Sequence, residues 1–296
     1  MAATDRDRMI HVAHIGNSIQ YFNDCPRLLE HMLEHRYTSV IQNSCLRGGA
    51  TLSSLLEKGN GRHFAAAAAT SRCKSRPANN GDEINEEGED CIIGSPTVQD
   101  LLVERIWDFV IINDHTQHPI RTDSKKQTVE VLQDHYLPLL QQQQVQDTYL
   151  STITTTKTMS KLEITKTSSS PSSPTIVFLQ TAAYRFPGTN KSTDLGSFDE
   201  FTEGVYQGYL EYAKLFPPNK GVVAPVGRAY QFLRNTTTSN ERRDDNSRGD
   251  VILQNSESIP SSSSSSSFLL WEKLYARDDF HPSPHGTLLQ ANVLYC

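Results

Sequence analysis

Apolar positions along the chain fall into short dense runs separated by amphipathic stretches. Five runs are rich in β-branched residues and too short for helices: Ile10–Ile15, Ser39–Gln42, Phe109–Ile112, Thr175–Gln180 and Gly221–Ala224. They read as buried strands, because a strand covered on both faces is apolar throughout instead of alternating. Between them, apolar residues recur every three or four positions. That spacing predicts helices over Pro26–His35, Thr97–Ile106, Thr128–Leu140 and Phe201–Phe216. Ser95-Pro96 reads as a cap with proline at the first helical position for the second of these. A last helix is expected after Pro284, through Leu288, Leu289 and Val293, with the pattern breaking off inside it at Cys296. Strands alternating with helices predict a five-stranded parallel sheet with helices on both faces.

Three tracts interrupt the pattern. Ala65–Asp90 holds an alanine run, a basic patch and an acidic stretch; Gln141–Pro174 is a glutamine tract followed by Thr, Ser and Lys; Asn235–Ser267 is polar and ends in seven serines. Such compositions cannot bury enough apolar surface to offset chain entropy. They are expected to be disordered insertions in surface connections, where lengthening a loop costs only about 0.6 kcal/mol per doubling. Without them roughly 200 residues remain, the size of one domain, spanning 9–296.

Composition excludes several classes. The net charge of −6 argues against a nucleic-acid surface, which needs clustered Lys and Arg. No apolar run reaches the ~18 residues of a membrane span, and Met1–Arg8 is too polar for a secretion signal. The reading is a cytoplasmic protein with no nucleic-acid or membrane partner. The five cysteines (Cys25, Cys45, Cys73, Cys91 and Cys296) have no CxxC spacing, so reduced thiols are expected.

The chemistry concentrates at the two ends of the chain. Gly16-Asn17-Ser18 follows the first strand directly, which aims a serine hydroxyl at the carboxyl edge of the sheet, where open α/β sheets bind ligands. A serine needs an adjacent base to act as a nucleophile. Asp278-Asp279-Phe280-His281 supplies one, with His281 in a proline-broken loop and Asp278 three residues before it. Asp279 is a competing carboxylate; the spacing favours Asp278. Ser18 could instead simply cap a helix, and position 20 is Gln20, so this is not the Gly-x-Ser-x-Gly elbow. His31 and His35 stand at i, i+4 but lack a third metal ligand and read as a solvated face; no metal is expected. Oxyanion donors could come from Gly48-Gly49, after the second strand, or from the Asn113 amide, after the third. Position after strand ends also makes Tyr21, Phe22, Gln117, His118, Tyr184 and Arg185 candidates for lining a cleft.

In this order the four blocks resemble those of the SGNH (GDSL-like) hydrolases. Gly16-Asn17-Ser18 resembles the first block, Gly48-Gly49-Ala50-Thr51 the second, Asn113-Asp114 the third, and Asp278–His281 with Pro282, Ser283 and Gly286 the last. Asn17 stands where Asp is usual, and Ile111 where Gly is usual. The resemblance implies a three-layer α/β/α fold of flavodoxin-like type and hydrolysis of carboxylic esters, often acetyl groups on carbohydrate. It implies no cofactor. It makes Ser18 the nucleophile, Asp278 and His281 its partners, and Gly49 and Asn113 oxyanion donors. A non-catalytic glycan-binding module on the same fold is the alternative. A flavodoxin-like nucleotide binder is weaker, because no Gly-rich phosphate loop opens the first helix.

Overall fold

The computed structural model describes residues 8–60, 95–142, 173–187, 193–245 and 268–296. Five strands, β1 (Met9–Gly16), β2 (Ser39–Leu46), β3 (Phe109–Ile112), β4 (Thr175–Leu179) and β5 (Gly221–Ala224), form one parallel sheet in the order β2-β1-β3-β4-β5. The order reverses at β1, so a crevice opens between the carboxyl ends of β1 and β3. Ser18 and Asn113 stand at its two sides.

The pleat divides the core. Ile10, Val12, Phe109, Ile111 and Val177 face α2 (Cys25–Glu34) and the C-terminal helix, bringing them against Leu29, Leu33 and Leu294. On the opposite face Phe178 meets Tyr209, Tyr212 and Phe216, with ring centroids 5.6–6.2 Å apart. Those aromatic residues lie on or just beyond the long helix Phe198–Ala213, which opens with a capping box between Ser197 and Glu200. The five-stranded parallel α/β architecture is therefore the one the hydrophobic pattern predicts.

Several boundaries differ from expectation. β2 runs four residues past Gln42, because Asn43 and Ser44 interrupt the apolar run without ending the strand: Ser44 is buried and Asn43 bonds Ser95 Oγ. The second expected helix is Val98–Glu104. Its cap is Thr97, whose hydroxyl accepts from the Asp100 N–H, while Ser95 is occupied by Asn43. The helix expected from Thr128 begins at Thr122, since its first turns are polar and carry no periodic signal. It passes into a π-turn at Leu132–Tyr136. The pattern also missed Leu52–Lys58, capped by a box between Thr51 and Ser54, and Phe268–Glu272.

The first two tracts lie largely outside the described residues, as does most of the third. One correction concerns the third tract: the backbone is helical over Val226–Asp245, eleven residues into the segment expected to be disordered. Cys25 and Cys45 are buried free thiols, and burial pushes both up to about 12; Cys73 and Cys91 lie outside the described residues. No helix among the described residues is long and apolar enough to cross a membrane.

Candidate active site

The strand-to-helix turn after β1 places Ser18. Asn17 is extended and caps a one-turn helix, α1 (Ser18–Tyr21), its Oδ1 accepting from the Ile19 N–H at 3.2 Å. This turn needs glycine at position 16, because a Cβ there would fall 1.8 Å from Asn113 Oδ1.

The loop before the C-terminal helix (Pro284–Tyr295) places His281. Tyr275 bridges Pro282, and the Ala276 N–H donates to the His281 carbonyl at 2.8 Å, closing a tight loop around Asp278–Phe280. Asn23, in the left-handed region just after α1, donates from Nδ2 to the Pro282 carbonyl at 2.9 Å and so ties this loop to the Ser18 turn. Residues 263 positions apart thereby meet. The Ser18 hydroxyl donates to His281 Nε2 at 2.7 Å, and His281 Nδ1–H donates to Asp278 Oδ2 at 2.5 Å. The proton positions follow from the hydrogen-bond network. Asp278 Oδ1 also accepts from the N–H groups of Phe280 and His281. Partial burial pushes the Asp278 carboxyl up, but the His281 ring and those N–H groups outweigh it and hold the group below the usual carboxylate range. Asp279 points elsewhere, its carboxylate 3.4 Å from the Arg185 guanidinium.

Ser18 and His281 open on a cleft of about 540 Å³, a size that suits a small organic ligand. Gly49 borders it with φ +63°, a conformation natural to glycine, and a Cβ there would meet nothing within 4 Å. Arg47 fixes that loop by donating to the carbonyls of Ser54 and Gly59. Among the described residues the N–H of Ser18 has no hydrogen-bond acceptor, which leaves it available to a bound ligand.

Asn113 follows β3 as expected, but its side-chain amide turns inward. It is fully buried and absent from the cleft wall. Its Nδ2 donates to Asn17 Oδ1 at 2.8 Å and, at 3.3 Å, to the Asp114 carbonyl; its Oδ1 accepts from the Asn17 N–H. Both amide hydrogens are thus taken, and the group holds Asn17 instead of facing a ligand.

Of the other cleft candidates, Gln117 and Tyr184 line the wall, and Gln117 Nε2 donates to the Tyr184 hydroxyl at 3.2 Å. Phe22 stacks on the His281 ring. His118 turns to Asp114 and Arg185 to Glu272 and Asp279. The sequence reading missed His115, Thr116 and Phe280 in the cleft wall. The first two follow Asn113-Asp114 immediately, so position after β3 was the available signal. Burial and the nearby His118 lower His115, which keeps that ring neutral at pH 7. His31 lies at the surface beside Glu34, and among the described residues no cluster of His, Cys, Asp or Glu has metal-binding geometry.

The five-stranded parallel sheet and its covering helices form an SGNH-hydrolase-like fold. Two solved structures carry this likeness. One is "a putative SGNH hydrolase from Slackia heliotrinireducens", 17% identical, with a TM-score of 0.52, covering 97% of this chain and 98% of that one. The other is a DUF4886 family protein from Bacteroides uniformis, 15% identical, also at TM-score 0.52, covering 97% of this chain and 82% of that one. No protein-family model matches the sequence, and no curated protein does.

Proposed function

We propose that the protein is a serine esterase that hydrolyses carboxylic esters through an acyl-enzyme on Ser18. The observation that carries this reading is the continuous line Asp278–His281–Ser18 at the wall of an open cleft. In this reading Ser18 Oγ attacks the ester carbonyl as His281 Nε2 takes its proton. Asp278 orients the ring and stabilises the imidazolium. The developing oxyanion is met by the N–H groups of Ser18 and Gly49, with Asn113 supporting Asn17 from behind. His281 then delivers the proton to the leaving alcohol. Water attacks the acyl-enzyme by the same route, returning the proton to Ser18. No metal or organic cofactor enters any step. The substrate is a small-molecule or glycan ester: Tyr184 and Phe280 offer ring faces, and Thr116 and Gln117 offer polar groups.

The test is a panel of p-nitrophenyl esters of rising acyl length, run beside labelling with a fluorophosphonate probe. The wild type should hydrolyse the short esters and label at Ser18. Ser18→Ala should keep its circular dichroism spectrum and lose both, by several orders of magnitude in kcat/KM. A wild type that binds glycans but neither hydrolyses nor labels would make the fold a binding module.

A further inference from the structure

We infer that His14 and Gln20 are positioning residues for Ser18, acting through a buried one-way chain of side-chain hydrogen bonds that ends beside Gly49; this rests on the esterase reading above. His14 lies on β1, on the same face as Ile10 and Val12, and is 1% exposed. An apolar residue would fill that place without the cost of desolvating an imidazole. Instead its Nδ1 lies 2.9 Å from Gln20 Oε1 and its Nε2 3.2 Å from Gln42 Oε1.

The direction of each bond can be worked out. Gln20, fully buried, spends Nε2 on Asn113 Oδ1 at 3.2 Å, with the Ile15 carbonyl at 3.5 Å. Its Oε1 must therefore face His14, so the imidazole carries its proton on Nδ1. The neutral ring then has only a lone pair at Nε2, which needs a donor. Gln42 Nε2 is buried and otherwise without a partner, and turning that amide over lets it donate to His14. Donation now runs one way throughout, from Gln42 to His14, then Gln20, Asn113 and Asn17. The last link is Asn17 Nδ2 to the Ala50 carbonyl at 3.0 Å.

The end of the chain gives it a role. Asn17 precedes the nucleophile, and Ala50 follows the glycine that borders the cleft. Asn113 Oδ1 also accepts the Asn17 N–H, and Asn17 Oδ1 accepts the Ile19 N–H. The separation between the Ser18 turn and the Gly49 loop is thus set by two side chains whose own orientation is set by Gln20 and His14. Each donor from Gln42 Nε2 to Asn17 Nδ2 meets an acceptor of the next group, so the chain holds its register when complete and loses it when a donor is removed. A misplacement of about 1 Å at a reacting centre can cost on the order of a hundredfold in rate.

The experiment compares His14→Leu, His14→Asn, Gln20→Leu and the double Leu variant with the wild type. The readouts are kcat and KM on p-nitrophenyl acetate, the rate of Ser18 labelling by fluorophosphonate, and the melting temperature. Leu should lower kcat and labelling about tenfold or more, with KM nearly unchanged. Asn, which has the shape of Leu but an N–H near the Nδ1 position, should recover most of the loss. The double variant should be no worse than the poorer single one, because both break the same chain. A His14→Leu variant within twofold of wild type, losses that add, or no recovery with Asn would overturn the inference and leave the esterase reading intact. A wild type that never labels would overturn both. Should the Leu variants fail to fold, ¹⁵N NMR of the wild-type His14 ring at pH 7 decides: the Nδ1–H tautomer supports the chain, and the Nε2–H tautomer overturns it.

Discussion

Phe22 and His281 lie face to face, with ring centroids 4.1 Å apart and planes within 5° of parallel. Phe280 adds a second ring at 3.8 Å from the imidazole. The His281 ring is therefore packed between a stacked and a tilted aromatic ring, with its two nitrogens directed at Ser18 and Asp278. Attack by Ser18 would turn the ring into an imidazolium, which an aromatic face stabilises by about 1 kcal/mol.

Phe22→Ala should thus lower kcat about fivefold, the rate equivalent of that energy, while Phe22→Tyr, which keeps the face, should stay near wild type. Steady-state kinetics on a p-nitrophenyl ester provide the check. A drop in KM affinity alone, with kcat intact, would mean that Phe22 touches substrate and does not brace the base.

The neighbouring carboxylates should separate cleanly. Asp278 accepts the His281 proton-bearing nitrogen, whereas Asp279 turns to Arg185. Asp278→Asn should cut kcat by several orders of magnitude, because an amide cannot stabilise the imidazolium and can favour the wrong tautomer. Asp279→Asn should change kcat less than about twofold, since asparagine accepts the left-handed backbone at that position (φ 63°). If Asp279→Asn proves the more damaging change, the partner of His281 is misassigned.

The sheet was legible because strands buried on both faces leave continuous apolar runs, and all five strands begin within a residue of where those runs do. Helix starts were less legible. Thr122–Gln127 is helical but polar, so its pattern carries no period, and the seven-residue Leu52 helix offers only Leu52, Leu55 and Leu56 besides its capping box, too short a repeat to stand out. In the candidate site, the Asp278–His281 pair could be read from its own spacing and Ser18 from its place after a strand, whereas their meeting across 263 positions is a property of the fold. The place of Asn113 was not legible. Whether an amide at a strand end faces the cleft or the interior depends on what fills the space behind it. Here that is Asn17 and Gln20, residues whose orientation only the packed structure fixes.

Gly16→Ala tests how tightly that interior is packed. The added methyl would overlap Asn113 Oδ1, an atom already accepting from Asn17 and Gln20. The amide cannot retreat without giving up one of them. The cost should be about 2 kcal/mol or more, seen as a lower denaturation midpoint with an unchanged slope. A variant as stable as wild type would show that the Asn113 cluster can relax.

Acid should weaken the folded protein through His14. Burial lowers the His14 pKa from 6.5 to about 4, with the hydrogen bond to Gln20 Oε1 opposing it only in part. In the unfolded chain the ring takes up its proton near pH 6.5; in the folded chain it resists until about pH 4. Between those values the unfolded state binds more protons, so stability rises with pH. The stabilisation is complete above about pH 6.5 and is lost as pH falls to about 4. A difference of this size corresponds to about 3 kcal/mol. His14→Asn has nothing to titrate there. The unfolding free energy of wild type minus that of His14→Asn should therefore fall by about 3 kcal/mol between pH 7 and pH 4, measured by denaturant titration at each pH. Carboxylates elsewhere titrate in both proteins and cancel in the difference. A difference that stays constant across that window would mean that the His14 ring is charged, or hydrated, in the folded protein.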